Sequence, residues 1–218
     1  PTFSVSRLYE QHRKNGLAPH YVGVCHSGNK KDTPVFHLQK RTVVGYCVEP
    51  MKANFDLVNR SFHALGYTRN ITLTKAAASS SPGVAWMPFG WVGQEDLQMQ
   101  TLTHTENQNR GEEVRVISLD EYIRDHPYLR NSTIDWLSID TEGHDAHVLF
   151  GGANAFQHRQ IKALEFEYHH IGPWAKINLS RVIVYLNLYG LDCYWEMNDG
   201  KVIPITQCWH EKYDAEKG

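Results

Sequence analysis

The chain has 218 residues, of which 41% are hydrophobic and 21% are charged, and its formal net charge is −2. This composition is typical of a globular protein with one sizeable core, and the near-neutral charge argues against a general binder of nucleic acids or anionic membranes. No apolar run approaches the roughly 20 residues that span a bilayer, so we expect neither a membrane span nor a signal peptide within this sequence.

Short apolar runs alternate with amphipathic stretches along the chain, which is typical of strands alternating with helices. The predicted strands are 20–24, 42–48, 71–75, 84–89, 114–117, 136–140 and 162–168; the predicted helices are 4–16, 51–65, 119–124 and 179–188; and 191–196 with 201–206 form a predicted hairpin. This order indicates an α/β fold, with a mostly parallel twisted sheet, helices on both faces and a C-terminal antiparallel hairpin. No linker divides the chain, so we expect a single domain over 1–218, made of an N-terminal helical extension (1–20) and a Rossmann-like core (21–218).

The four cysteines form no Cys-X-X-Cys pair, which argues against a zinc knuckle. Cys25 and Cys47 lie near predicted strands and are interpreted as small buried hydrophobic residues. Cys193 and Cys208 flank the turn of the predicted hairpin, a spacing that is compatible with a disulfide without requiring one.

Four Asn-X-Ser/Thr sequons occur among twelve asparagines, at Asn59, Asn70, Asn131 and Asn178. They favour a secretory compartment, where glycosylation and disulfides occur together. Cytosolic proteins also carry such sequences by chance. The sequence therefore leaves the compartment open between cytoplasm and secretory lumen.

Glu49 is the clearest candidate site residue in the first half of the chain. It ends a hydrophobic strand directly before Pro50. In Rossmann-like sheets an acid at the end of the second strand accepts hydrogen bonds from the two ribose hydroxyls of an adenosine cofactor. The spacing from Gly23 in the first strand to Glu49 fits that arrangement.

An acidic turn follows the strand at 136–140. Asp140, Glu142 and Asp145 lie between this strand and a short helix that ends at Gly151. Ligands of open α/β sheets bind just beyond the carboxyl ends of the strands. The turn is therefore a second candidate for the functional site, although acids near a helix start are also favoured by the helix dipole alone.

Five segments together resemble the FkbM-type methyltransferase family, in the order in which that family carries them. They are GYCVEP at 45–50, KAAASSSPG at 75–83, VRVISLDEYI at 114–123, IDWLSIDTEGHDAHVLFGGA at 134–153 and ALEFEY at 163–168. The resemblance implies a class I methyltransferase fold and S-adenosylmethionine as the cofactor. It also implies O-methylation of a hydroxyl on a sugar, a glycan or a related polyhydroxylated small molecule.

The resemblance also implies roles for individual residues. Gly23, Glu49, Ala77 and Asp140 are expected to bind the cofactor, with the small Ala77 leaving room for the adenine ring. Asp140, Glu142 and His169 are the candidate catalytic residues, because methyl transfer to oxygen requires in-line geometry and removal of one proton.

The first strand departs from the family pattern. Its usual acid is replaced by Tyr21, and the following Ala-Asn pair by Val24-Cys25. This departure motivates a first alternative, a non-catalytic protein that binds the cofactor or a glycan on the same fold.

A second alternative is a metal-dependent hydrolase that uses Asp140, Glu142 and His169. These side chains offer oxygen and imidazole ligands, but no compact metal motif such as His-Glu-X-X-His supports them. The expected partner is thus a small molecule or glycan rather than nucleic acid, no metal site is assigned, and the oligomeric state is left open.

Overall fold

A computed structural model describes residues 44–91, 110–168, 171–196 and 201–215, together with the backbone of one further strand at 20–24. The strands are β1 (His20–Val24), β2 (Val44–Val48), β3 (Ile71–Thr74), β4 (Ala77–Ala78), β5 (Gly83–Pro88), β6 (Gly111–Ile117), β7 (Trp136–Ile139), β8 (Leu164–Phe166), β9 (Tyr194–Glu196) and β10 (Val202–Pro204). The helices are α1 (Lys52–Leu65), α2 (Leu119–Asp125), α3 (Pro127–Arg130), α4 (Asp145–Phe150), α5 (Ala153–Gln157), α6 (Leu179–Leu188) and α7 (Lys212–Ala215), with 3₁₀ turns at Tyr67–Arg69 and Gly172–Ala175. The predicted N-terminal helix lies outside the described residues.

Five strands form a parallel sheet in the order β3-β2-β1-β7-β8. The register is continuous across it: Val24 lies beside Val48, Val48 beside Thr74, and Ile139 beside Phe166. Because all five strands run the same way, their carboxyl ends meet at one edge of the sheet. The predicted mixed α/β fold with a parallel sheet is therefore confirmed.

A second sheet of three strands has the order β4-β6-β5. β5 runs antiparallel to β6, and β4 runs parallel to it. Their inner faces form a small separate core, whose buried members are Met51, Ala77, Ala85, Met87, Val114 and Val116. The sequence predicted β5 and β6 as extended segments, but it predicted neither β4 nor the separation of these strands from the main sheet.

The helices begin and end at residues that their sequences favour. α1 ends at Gly66, which adopts a left-handed conformation with φ of 74°, as helix C-termini commonly do. Ser118 caps α2 by accepting a hydrogen bond from the backbone N–H of Glu121 at 3.1 Å. Asp120 then joins α2 to α5, because its carboxylate accepts hydrogen bonds from the backbone N–H groups of Asn154 and Ala155, both at 2.9 Å.

The main core lies between the parallel sheet and the helices that follow β6, β7 and β8. Its fully buried members include Leu129, Ile134, Leu149, Trp174, Val182 and Leu186. Tyr168, which follows β8, packs edge-on against Trp174 with ring centroids 4.8 Å apart. The Tyr168 hydroxyl donates to the backbone oxygen of Asp214 at 3.1 Å, so the C-terminal segment supports the end of β8.

The C-terminal hairpin is confirmed, since β9 and β10 pair antiparallel with Val202 opposite Glu196. The cysteines differ from their interpretation. Cys47 is buried, as interpreted, but it is disulfide-bonded, which the sequence analysis did not predict, and Cys25 lies outside the described residues. Cys193 and Cys208 are both free, so the disulfide that their spacing allowed does not form. None of the helices in the described part of the chain is long and apolar enough to cross a membrane.

Candidate functional site

The carboxyl edge of the parallel sheet brings Glu49 and Asp140 together. Glu49 follows β2 and Asp140 follows β7, and β1 lies between these two strands. The Gly23 backbone near the end of β1 lies beside Cys47 on one side and Ser138 on the other. The structure thus places Gly23, Glu49 and Asp140 at the ends of three adjacent strands.

Glu49 is a buried carboxylate whose side chain is held by its own loop. It is 5% exposed, and its Oε1 accepts a hydrogen bond from the backbone N–H of Met51 at 2.8 Å. Burial and, to a smaller extent, the charge of Asp140 together raise its pKa to about 7, against the lowering effect of the Met51 N–H. No second hydrogen bond to Glu49 occurs within the described residues, so Oε2 is available to accept from a ligand hydroxyl.

The turn after β7 has an unusual backbone. Glu142 has φ of 51° and Gly143 has φ of 99°. Two successive residues therefore have positive φ, a conformation that glycine adopts readily and other residues adopt rarely. A Cβ on Gly143 would lie 2.7 Å from the backbone oxygen of Ile171. The turn is therefore packed directly against the 3₁₀ turn that follows β8, and non-glycine strain of this kind recurs at functional sites.

Asp145 is a functional candidate that the sequence analysis did not select. It is 0% exposed, and neither carboxylate oxygen has a hydrogen bond of normal geometry. Burial and the charge of Asp140 raise its pKa to about 7, while the Thr141 hydroxyl and the backbone N–H groups of Asp145 and Glu167 act in the opposite direction. Its place as the third acid of the turn could have marked it as a site residue, but the sequence does not show that its side chain is buried.

Glu165 on β8 is a fourth carboxylate near this edge. It accepts a hydrogen bond from the Ser138 hydroxyl at 2.7 Å, and burial raises its pKa, with further contributions from the charges of Glu196 and Asp140. Asp140 therefore acts electrostatically on Glu49, Asp145 and Glu165. Across the described ranges, no Lys or Arg forms an ion pair with any of those three.

The nearby histidines do not supply positive charge at neutral pH. Burial lowers the pKa of His144 to about 4, with a smaller effect from His147, and burial also lowers the pKa of His147. The site is thus a concentration of acidic groups. His169, the third predicted catalytic residue, lies outside the described residues.

Ala77 belongs to the second sheet and follows the end of β3 by three residues. It pairs with Val116 in the second sheet and is buried with Met51 in the small core. Ala76, one residue earlier, is fully buried in the main core. The adenine contact assigned to Ala77 stays a prediction.

A metal centre finds no support in the described part of the site. No three His, Cys, Asp or Glu residues among those that the structure describes are arranged to hold a metal ion. The raised pKa values of Glu49, Asp145 and Glu165 show instead that burial favours the neutral forms of these three acids.

The stability of the unliganded chain is expected to depend on pH through Glu49. Folding raises the pKa of this carboxyl from 4.5 to about 7, so the folded state holds the proton more tightly than the unfolded state does. The stabilising contribution is complete below pH 4.5 and is lost as the pH rises through about 7. Urea denaturation midpoints are measured from pH 4 to pH 8 in steps of about one pH unit. As the pH rises, the midpoint of the wild-type chain should fall relative to that of Glu49→Gln.

The control for this pH experiment is Glu113→Gln, which changes an exposed acid on β6. It should follow the wild-type curve. Parallel curves for the wild type and Glu49→Gln would show that Glu49 does not carry the pH dependence.

Comparisons with known proteins agree with this architecture. The sequence profile of the Methyltransferase FkbM domain matches residues 22–192. A crystal structure of methyltransferase FkbM from Methylobacillus flagellatus KT is similar in fold, with a TM-score of 0.53 and 11% sequence identity. The similarity covers 86% of this chain and 42% of that one, so the chain spans less than half the length of that protein. No curated protein matches the sequence.

The family match includes β1, β2, β7 and β8 and therefore every strand end that carries a site residue. It extends over well more than half of the chain. The chain belongs to the FkbM methyltransferase domain family.

Proposed function

We propose that this domain is an S-adenosylmethionine-dependent O-methyltransferase that acts on a hydroxyl of a sugar, a glycan or a related polyhydroxylated small molecule. Family membership supports methyl transfer. The observation that carries the cofactor assignment is the convergence of buried Glu49 with Asp140 across the end of β1. That is the position where Rossmann-like sheets bind an adenosine cofactor.

The residues present fit S-adenosylmethionine. The order β3-β2-β1-β7 repeats the first part of the Rossmann order 3-2-1-4-5-6, so Glu49 ends the strand whose acid holds the ribose. The Gly23 backbone would allow close approach of the cofactor beside it, and Asp140 follows β7 at the same edge of the sheet.

When bound, S-adenosylmethionine would supply a methyl group on a positively charged sulfur. The chain's own residues would position the acceptor and remove its proton. Asp140 is the candidate base, because it directly follows β7 at the edge of the sheet where the cofactor is expected to bind, and a carboxylate there could accept the hydroxyl proton of the acceptor. Glu142 and His169 are the further candidates for this role. Oxygen is the proposed acceptor atom because these groups are suited to accept a hydroxyl proton.

The two alternatives differ in their support. Among the described residues, no cluster of possible metal ligands supports the metal-dependent hydrolase. A non-catalytic binding protein is motivated by the departures from the family pattern at Tyr21 within β1 and at Val24-Cys25 at its end. It predicts cofactor binding without methylation of any sugar acceptor, and a screen of acceptors with detection of S-adenosylhomocysteine separates it from the enzyme.

Replacing Glu49 with Ala is expected to weaken binding of S-adenosylmethionine and S-adenosylhomocysteine by about 1–3 kcal/mol, the cost of leaving ribose hydroxyls unpaired. Isothermal titration calorimetry measures both affinities without an acceptor. Glu113→Ala, on the exposed face of β6, is the control and should bind as the wild type does. Unchanged affinity in Glu49→Ala would remove Glu49 from the ribose role. If millimolar ligand did not bind the wild-type chain at all, the proposed cofactor would be wrong.

A further inference from the structure

Asn131 is an exposed residue in a turn, and it begins the sequence Asn131-Ser132-Thr133. This is the Asn-X-Ser/Thr acceptor sequence for N-linked glycans, with no proline at its middle position. The turn joins α3, which ends at Arg130, to the segment that leads into β7. The asparagine therefore has the surface-loop position that an N-linked glycan occupies.

The turn is held without help from the Asn131 side chain. Leu129, just before it, is fully buried, and the side-chain amide of Gln160 donates to the backbone oxygen of Arg130 at 3.2 Å. Within the described residues, the Asn131 amide donates to the backbone oxygen of Pro127 at 3.4 Å, which is long for an N–H···O hydrogen bond. The amide nitrogen can therefore carry a substituent without disturbing the turn.

Asn131 lies at the edge of the parallel sheet opposite the candidate site. It precedes β7, and Asp140 follows the other end of that strand. From Ile134 to Asp140 the extended chain covers roughly 20 Å, at about 3.3 Å per residue. A glycan on Asn131 would thus leave the carboxyl edge of the sheet open.

A disulfide is a second, independent observation that points to the same modification. Cys47 on β2 is 3% exposed and is disulfide-bonded. Disulfides are rare in cytosolic proteins, where thiols are kept reduced, and they persist in the lumen of the secretory pathway. Acceptor asparagines of secreted proteins are glycosylated on that same route, so the disulfide and the exposed sequon agree on one environment.

The other three sequons differ from this one. Asn59 lies within helix α1, and Asn70 is only half-exposed. Asn178 closely follows the 3₁₀ turn Gly172–Ala175, which packs against the acidic turn of the candidate site. Asn131 combines an exposed side chain, a loop position and a place away from that site.

We propose that Asn131 carries an N-linked glycan and that the protein matures in an oxidising secretory compartment. This inference does not depend on the proposed function. The donor is an oligosaccharide linked to a lipid diphosphate. A bond forms between Asn131 Nδ2 and the anomeric carbon of the first sugar, and the bond from that carbon to the diphosphate oxygen breaks. The lipid diphosphate leaves with the electron pair, and the amide loses one proton.

The test is peptide mass spectrometry of the full-length protein isolated from the cells that produce it. Peptide N-glycosidase in isotopically labelled water releases the glycan and converts a glycosylated asparagine to a labelled aspartate. The peptide with Asn131 is expected to gain this label. Asn187, an exposed asparagine of α6 outside any sequon, is the internal control and should stay unlabelled. An unlabelled Asn131 would overturn the inference.

Variants at Thr133 show whether the modification reads the acceptor sequence. Thr133→Ala removes that sequence and should abolish the label at Asn131, whereas Thr133→Ser keeps the sequence and should keep the label. Asn131→Gln should lower the mass of the protein by one glycan. Retention of the label in Thr133→Ala would mean that Asn131 is not modified as a sequon, and the inference would be wrong.

Alkylation of the same preparation in denaturant tests the oxidising environment. Cys208, which is free and exposed, should react without reduction. Cys47 should react only after its disulfide has been reduced. Reaction of Cys47 without a reductant would contradict maturation in an oxidising compartment and overturn the inference.

Discussion

Replacing Asp140 with Asn is expected to lower turnover by about 10²–10⁴-fold, the usual contribution of a general base, while the fold stays intact. The amide has nearly the shape of the carboxylate but cannot accept the hydroxyl proton of the acceptor. Turnover is measured as S-adenosylhomocysteine released with sugar acceptors, and circular dichroism checks the fold. Because Asp140 also raises the pKa of Glu49, the variant should shift the acid limb of the pH–rate profile to lower pH.

The control for Asp140→Asn is Asp125→Asn, which changes a surface carboxylate that is 45% exposed and belongs to an ion-pair group with Arg115 and Arg124. It should keep wild-type turnover. Full activity in Asp140→Asn would reassign the base, in the first place to His169. His169→Gln would then be the next variant to measure.

The main sheet could be predicted from sequence because its strands are short, apolar and buried. The segment 20–24 was predicted as a strand, and β1 has those bounds. The apolar run from Trp136 gave β7 to within one residue. Parallel strands buried on both faces appear in sequence as continuous hydrophobic runs, and an acid placed directly after such a run marks the edge where ligands bind. Glu49 and Asp140 could be found in this way.

Other features depend on contacts between distant segments, which no local pattern encodes. Asp145 looks in sequence like a solvated acid in the first turn of a helix, and only the packing of β8 and the turn after β7 buries it. The disulfide of Cys47 and the separate sheet of β4, β5 and β6 are tertiary facts of the same kind. Glutamate has no preference for positive φ, so the backbone at Glu142 could not be predicted either.

The turn after β7 joins the carboxyl edge of the parallel sheet to the segment after β8, and Gly143 is the residue on which this contact depends. Glu142 with φ of 51° and Gly143 with φ of 99° reverse the chain between β7 and α4. The glycine also allows contact with Ile171 and Gly172, whose backbone atoms would lie 2.7–3.2 Å from an added Cβ. Backbone atoms cannot move aside as a flexible side chain can. If a Cβ were added at position 143, the turn and the segment after β8 would therefore have to shift together.

Replacing Gly143 with Ala is consequently expected to destabilise the protein by about 2–5 kcal/mol, the sum of about 1–2 kcal/mol for a left-handed alanine and about 1–3 kcal/mol for overpacking. Urea denaturation followed by circular dichroism measures this change. Gly190→Ala is the matched control, because Gly190 has φ of 82° but no atom within 4 Å of an added Cβ. This variant should therefore lose only the stability that corresponds to the left-handed backbone conformation.

If the two variants lost equal stability, the contact with Ile171 would contribute nothing, and the turn would not be held by the segment after β8. A larger loss in Gly143→Ala, accompanied by weaker binding of S-adenosylhomocysteine, is the result expected if this contact positions Asp140.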